Sequence, residues 1–290
     1  MNNKSLCRAI AAFDDAGLDV VRFEPEGSMA LFSIADNGRN PVDYGRRVSP
    51  LSQRSIERKF ENRTAKENCD LVRYLGASDW RHALGLVQEI IRERKDENIL
   101  NIGDFMHVSF DVPAADYLGL SFKELVIKDA KVQIVEIMNN KVIFNFDEII
   151  FRSAINSHDS GNGSFSDSAL AEYLGNEFYE AMDISAYTFA SKDGNFITLL
   201  TAFELFGQSE YWEKETNWDA LDKEVYMQQM AYFQNEKNRV KVYKNETNWY
   251  WTSSLRASVA SYFCTVHGYG NSNSFAASEV RGVAPAFCVA

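Results

Sequence analysis

The apolar positions of this chain change their spacing along its length, and each change marks an element. Leu6, Ile10 and Phe13 recur four and three apart and Gly17 follows, which predicts a short helix over 3–16. Leu18–Phe23 and Met29–Ile34 are β-rich runs joined by Glu24-Pro25-Glu26-Gly27-Ser28, a hairpin by its turn chemistry. Leu51, Ile56 and Phe60 suggest a partly helical segment over 50–75. Trp80, Ala83, Leu84, Val87, Ile90 and Ile91 form an unbroken helical stripe over 79–94, with Ser78 and Asp79 able to cap it. The stripe must bury against either the hairpin or a second subunit.

Beyond residue 100 the period shortens to two. Phe105–Val112 is a strand, and Lys131–Met138 and Lys141–Phe146 form a hairpin about Asn139-Asn140. Glu148–Ile155 is a second apolar segment, and 158–164 is a loop. Leu170, Tyr173, Leu174, Phe178 and Met182 return to helical spacing over 167–182, capped by Ser166 or Asp167. A strand over Phe196–Leu200, a short helix over 202–206 ended by Gly207, and a helix over 219–236 precede an alternating run at Val240 and Val242. The chain closes on an aromatic strand, Trp249-Tyr250-Trp251, and a second apolar strand, 283–289. Between these two strands lie mostly Ser, Ala, Gly and Asn, with Tyr262, Phe263, Tyr269 and Phe275 set among them. Small adaptable groups around a few rigid rings are the composition of a contact surface such as an antibody paratope.

Charge sharpens the division. The net charge is −11, which argues against nucleic acid or an anionic membrane as partner. Residues 1–100 balance 16 Lys and Arg against 16 Asp and Glu, whereas 101–290 hold 14 against 25. The pattern therefore predicts an α+β chain with a small N-terminal domain over 1–98 and a larger one over 99–290. The basic residues Arg46, Arg47, Arg54, Arg58, Lys59 and Arg63 alternate with Glu57, Glu61 and Glu67, as on a solvated helix face. No apolar run reaches a membrane-spanning length, and no secretory leader is legible near the N-terminus. Cys7, Cys69, Cys264 and Cys288 show no metal-binding spacing and read as reduced thiols; Cys264 and Cys288 lie in segments that adjacent strands could bring together.

The closing tract, W-Y-W-T-S-S through R-G-V-A-P-A-F, resembles the C-terminal end of a C-type-lectin-fold family that includes the variable proteins of diversity-generating retroelements. Many members read W-W-L-R-S and G-V-R-P-A there; Thr252 and Ala284 replace the usual Leu and Arg. Further features match in order. They are Gly103-Asp104, the V-x-I-V-E-I hairpin, the helix bearing Leu170, Tyr173, Leu174, Gly175 and Phe178, the segment from Ile197 to Phe206-Gly207 with Glu204, and Tyr232, Phe233, Asn238, Arg239 and Lys241. Residues 1–100 are not covered.

The resemblance implies a C-type-lectin-like fold in the C-terminal two-thirds and a binding surface rewritten by copying from a template, with changes at template adenines. Residues reachable from an Asn codon by that route are Ala257, Val259, Tyr262, Thr265, His267, Tyr269, Ser272, Ser274, Phe275, Ala277 and Val280. They are the expected ligand-binding set, with Tyr262, His267, Tyr269 and Phe275 as aromatic anchors. Glu279 is unreachable and expected to be template-fixed. Trp249, Trp251, Ser254, Phe263, Val266, Gly270, Gly282, Pro285 and Phe287 are the expected scaffold; Pro285, lacking an N–H, belongs at an edge or bulge.

The implied protein is a phage- or prophage-borne binder of a protein or cell-surface ligand. It is expected in the cytoplasm or the virion, and its N-terminal domain attaches or oligomerises it. No cofactor or metal is expected. His267 has no ligating or catalytic partner in sequence, and the calcium-lectin motifs E-P-N, Q-P-D and W-N-D are absent; Asn217-Trp218-Asp219 has another order. Two alternatives remain: an enzyme of the formylglycine-generating type using Cys264 or Cys288, and an invariant bacterial member of the family.

Overall fold

A computed structural model of the chain describes 18–26, 29–36, 42–43, 68–93, 99–138, 141–159, 164–190, 195–207, 229–256, 259 and 261–290. The expected helix over 3–16, the basic segment 46–63, Cys7, Ala257 and 219–228 lie outside these residues. The architecture is α+β with several sheets, as expected. Packing divides the chain into Met1–Glu67 and Asn68–Ala290. This division falls ahead of the boundary expected near residue 98. Charge balance marked that boundary, but it does not report which surfaces are buried together.

In the first unit β1 (Leu18–Glu26), β2 (Met29–Asp36) and β3 (Val42–Asp43) form an antiparallel meander. The second unit opens with helices α1 (Leu71–Leu75) and α2 (Trp80–Arg92). Asp79 caps α2 by accepting from the His82 amide at 2.9 Å. Its stripe is buried within the unit, with Trp80 6.4 Å from Phe110. Gln88 donates to the Ala290 carbonyl at 2.9 Å.

Strands follow in order: β4 (Phe105–Val112), β5 (Ala115–Tyr117), β6 (Leu120–Phe122), β7 (Leu125–Met138), β8 (Lys141–Phe146) and β9 (Phe151–Ser153). Met106, Val108, Phe110 and Val112 are buried while His107, Ser109 and Asp111 are exposed, the alternation read in sequence. The helix expected over 167–182 is segmented. A 3₁₀ turn takes 165–167, so the cap moves to Ser168, which holds the Ala171 amide at 3.1 Å. Helix α3 (Ala169–Tyr173), a π-helical turn (Leu174–Phe178) and α4 (Tyr179–Met182) then run on without a break.

After them come β10 (Thr188–Phe189), β11 (Ile197–Thr198) and α5 (Ala202–Phe206), the last closed by a reciprocal Thr201–Glu204 cap. Residues 231–239 form two 3₁₀ turns rather than the helix end expected there. The closing strands are β12 (Val242–Tyr243), β13 (Glu246–Thr247), β14 (Tyr250–Leu255), β15 (Tyr262–Val266), β16 (Ser272–Ala276), β17 (Arg281–Val283) and β18 (Ala286–Val289).

Two sheets dominate. The larger has the order β10-β18-β8-β7-β4, with β11 also on β18; the other has the order β16-β15-β14-β17-β9. A shared core fills the space between them: Val135, Ile143 and Ala286 from the first meet Tyr250, Val266 and Ala284 from the second side. The chain passes from one sheet to the other at Ala284-Pro285. Asn145 donates its amide to both carbonyls, at 3.1 and 2.8 Å, and the Phe146 amide also reaches Pro285 O at 3.0 Å. Pro285 thus sits where no ladder bond is required of it. It splits the single strand expected over 283–289 into two strands in different sheets.

Behind this crossing the residues Asn238, Arg239 and Lys241 act as backbone clamps. Asn238 donates to Tyr232 O at 2.7 Å and Arg239 to Phe233 O at 3.2 Å. Lys241 donates to Phe146 O and lies 5.7 Å from the Tyr250 ring. Lys241 is 1% exposed, and burial pulls its ammonium down to about 8, opposed by Asp147. Between that value and the ordinary 10.5 the unfolded chain binds a proton that the native state lacks, so stability from this group rises with pH. Cys288, which burial pushes up to about 11 from 9.0, acts in the opposite sense above pH 9. Urea midpoints of the wild type should therefore rise between pH 8 and 9 relative to Lys241→Met, and that difference in slope should vanish below pH 7.

Candidate functional site

The second sheet carries the site. β15 lies inside it, flanked by β14 and β16. Trp251 pairs with Thr265, and Thr265 with Asn273. Trp251 is 1% exposed, and its indole N–H donates to Ser153 O at 2.9 Å, tying β14 to β9 across β17. Ser254 accepts from the Ala202 amide at 2.9 Å and so holds the start of α5. Phe263 lies 6.5 Å from Phe165, and Phe287 stacks on Phe144 at 5.3 Å. Gly282 has no room for a side chain: a Cβ would meet Trp249 O at 2.8 Å and Ile149 Cδ1 at 2.6 Å. Gly270 takes φ +84° in the turn after β15, where a side chain is strained. These expected scaffold residues are buried in the frame, with one exception.

The exception is Trp249, which is half-buried and belongs to the outer surface. Its ring centroid is 3.9 Å from His267 and 4.9 Å from Phe275. His267 lies 4.9 Å from Tyr269, whose side chain is 79% exposed at the tip of the β15–β16 turn. The Arg281 guanidinium covers the other side of the group, 3.7 Å from the Phe275 ring and 2.5 Å from the Glu279 carboxylate. The result is a four-ring patch closed by an ion pair, rimmed by exposed Asn271 and Asn273. Such a patch offers rigid apolar contact area with polar groups beside it, the anatomy of a binding surface.

Of the expected ligand-binding set, His267, Tyr269 and Phe275 come together here. Val280 is 47% exposed in the turn before β17, next to the ion pair. Ser272 and Ser274 lie half-buried on β16, and Ser274 accepts from Arg256 at 3.2 Å. Tyr262 and Val259 are half-buried at the far end of β15, joined by the Tyr262 amide to Val259 O at 2.9 Å.

Two expected contact residues are not on the surface. Thr265 is 0% exposed, because it occupies an inner strand with a neighbour on each side. Ala277 is 1% exposed; its carbonyl anchors the Ile155 and Asn156 amides at 2.9 and 3.1 Å. Codon accessibility selected both residues, and it is indifferent to burial. Sequence reasoning also missed Arg281, whose role depends on three strands meeting at one ring. The Ser278 hydroxyl and amide hold the Asp159 carboxyl below its usual range, and this bond pins the same turn.

Cys264 and Cys288 lie on different sheets, and neither is in a disulfide. Cys264 is 1% exposed against Ala202, and burial raises Cys288 rather than lowering it. Cysteine chemistry uses an exposed, readily ionised thiol, whereas Cys264 is buried and the Cys288 thiol is raised. Among the described residues no cluster of His, Cys, Asp and Glu is placed to hold a metal ion. No described helix is long and apolar enough to cross a membrane.

A family model described as a domain of unknown function, DUF6273, matches residues 197–290. The matched segment runs from β11 to β18 and holds the whole patch. No curated protein and no solved structure matches the chain.

The frame and the patch separate in stability. Trp251→Ala should cost about 3–5 kcal/mol, whereas Tyr269→Ala should stay within about 0.5 kcal/mol of wild type. Urea denaturation of the two variants measures the difference directly.

Proposed function

We propose that this protein is a ligand-binding protein whose C-terminal unit has a C-type-lectin-like fold and whose outer residues over 257–281 are diversified by a retroelement. The ligand is a protein or a cell-surface group, and the first unit attaches or oligomerises the binder. The observation that carries the reading is the division of labour within one short tract. Trp251, Phe263, Thr265, Val266 and Val283 are buried and build the frame, while His267, Tyr269, Phe275 and Val280 meet solvent on it. A surface that must tolerate replacement requires side chains that support nothing else. Tyr269 fits that requirement, and the order of motifs along 103–290 supports the family resemblance.

The test is at the nucleotide level. The DNA flanking the gene should contain a near copy of the codons for 249–290 that differs where the copy has adenine. The mismatches should fall at the codons of His267, Tyr269, Ser272, Ser274 and Val280 and spare those of Trp251, Gly282 and Pro285. Absence of such a copy would remove diversification and leave a fixed binding domain.

A further inference from the structure

At the centre of the patch, His267 is bound to the residue it presents. The Tyr269 amide donates to His267 Nδ1 at 3.1 Å. An acceptor at Nδ1 requires the neutral imidazole with its proton on Nε2. The turn is otherwise short: His267 N–H donates to Asn271 O at 2.5 Å, and Gly270 N–H to His267 O at 2.8 Å. Among the described residues, the Tyr269 ring packs on that of His267 itself. The exposed anchor is therefore positioned by the imidazole, through its own backbone amide and through ring packing.

We infer that His267 is a protonation-sensitive latch, which holds Tyr269 in its presented position near neutral pH and releases it on acidification. This rests on the reading of the patch as the binding surface. Protonating the ring places a hydrogen on Nδ1 opposite the Tyr269 N–H. Two donors then face each other and the bond is lost. Histidine is the side chain whose charge ordinarily changes between pH 5 and 8.

The ionisable groups around the turn come from four directions. Tyr269 lies in the turn itself. Arg281 and Glu279 lie beyond Phe275 and pair with each other at 2.5 Å. Arg239 and Glu236 lie beside Gly270, 3.9 Å apart. Glu246 neighbours Thr247, against which Gly268 packs. In both places the carboxylate faces a guanidinium rather than the imidazole. Trp249, at 3.9 Å, offers the protonated ring an aromatic neighbour and hence a place to turn towards.

The test uses the full chain without ligand. Amide and imidazole resonances are followed by NMR from pH 7.5 to 5.5, in wild type and in His267→Asn. An Asn side chain accepts from the amide two residues on and does not titrate, so the variant keeps the turn and loses the switch. In wild type the Tyr269 amide should shift with the midpoint of the His267 ring. After correction for intrinsic rates, it should also exchange on the order of threefold to tenfold faster at pH 5.5. In His267→Asn neither change should occur. A Tyr269 amide indifferent to pH in wild type, or the same transition in His267→Asn, would overturn the proposal. A missing template copy would remove the diversification reading and leave this titration as it stands.

Discussion

The crossing at Ala284-Pro285 is the constraint on which the C-terminal unit depends. One short segment leaves the second sheet as β17 and enters the first as β18, and the two sheets share a core on either side of it. A crossing leaves backbone carbonyls at the ends of both ladders, and of these Pro285 O still accepts from the Phe146 amide. Asn145 on β8 donates to Ala284 O and adds a second donor at Pro285 O, and Pro285 has no N–H to leave unpaired. Lys241 performs the same service for Phe146 O, at the cost of burying an ammonium group. The rigid part of the tract is thus held by bonds from segments far away in sequence.

That arrangement lets outer side chains such as Tyr269 and Val280 stay exposed without building the frame. Gly282 lets β17 approach Trp249 O and Ile149, and Trp251 ties β14 to β9. With the strands fixed from behind, the outer face keeps a ring patch whose most exposed member, Tyr269, leans on His267. Position is controlled by the turn, and the frame supplies stiffness. A ligand surface that changes its residues, and a pH-dependent latch on its anchor, both require this separation.

Much of this was legible in sequence where one periodicity decided the matter. The stripe from Trp80 to Ile91 and the alternation of Val142, Phe144 and Phe146 were readable as buried faces, although the stripe packs on β4 within the second unit, where the hairpin or a second subunit was expected for it. Trp251 in the aromatic strand and the closing apolar run were recognisable as frame, and Pro285 as an irregular point. Other features depend on contacts between distant segments. Thr265 looks like any small polar residue until its strand is placed between two others. Trp249 looks like core until its neighbours prove to be His267 and Phe275. Arg281 and Glu279 join the site only because β16 and β17 bring Phe275 beneath the guanidinium. The boundary read near residue 98 followed charge balance, whereas the buried stripe of α2 belongs to the second unit.

The most direct measurement of the central claim compares two displayed libraries of the full chain. One is randomised at His267, Tyr269, Ser272, Ser274 and Val280, the other at Trp251, Thr265, Ala277, Val283 and Ala286. Resistance to protease, read by sequencing survivors, reports the folded fraction of each. The account predicts that most members of the first library remain folded and that few of the second do. Equal losses in the two libraries would contradict it, because the outer residues would then be part of the frame.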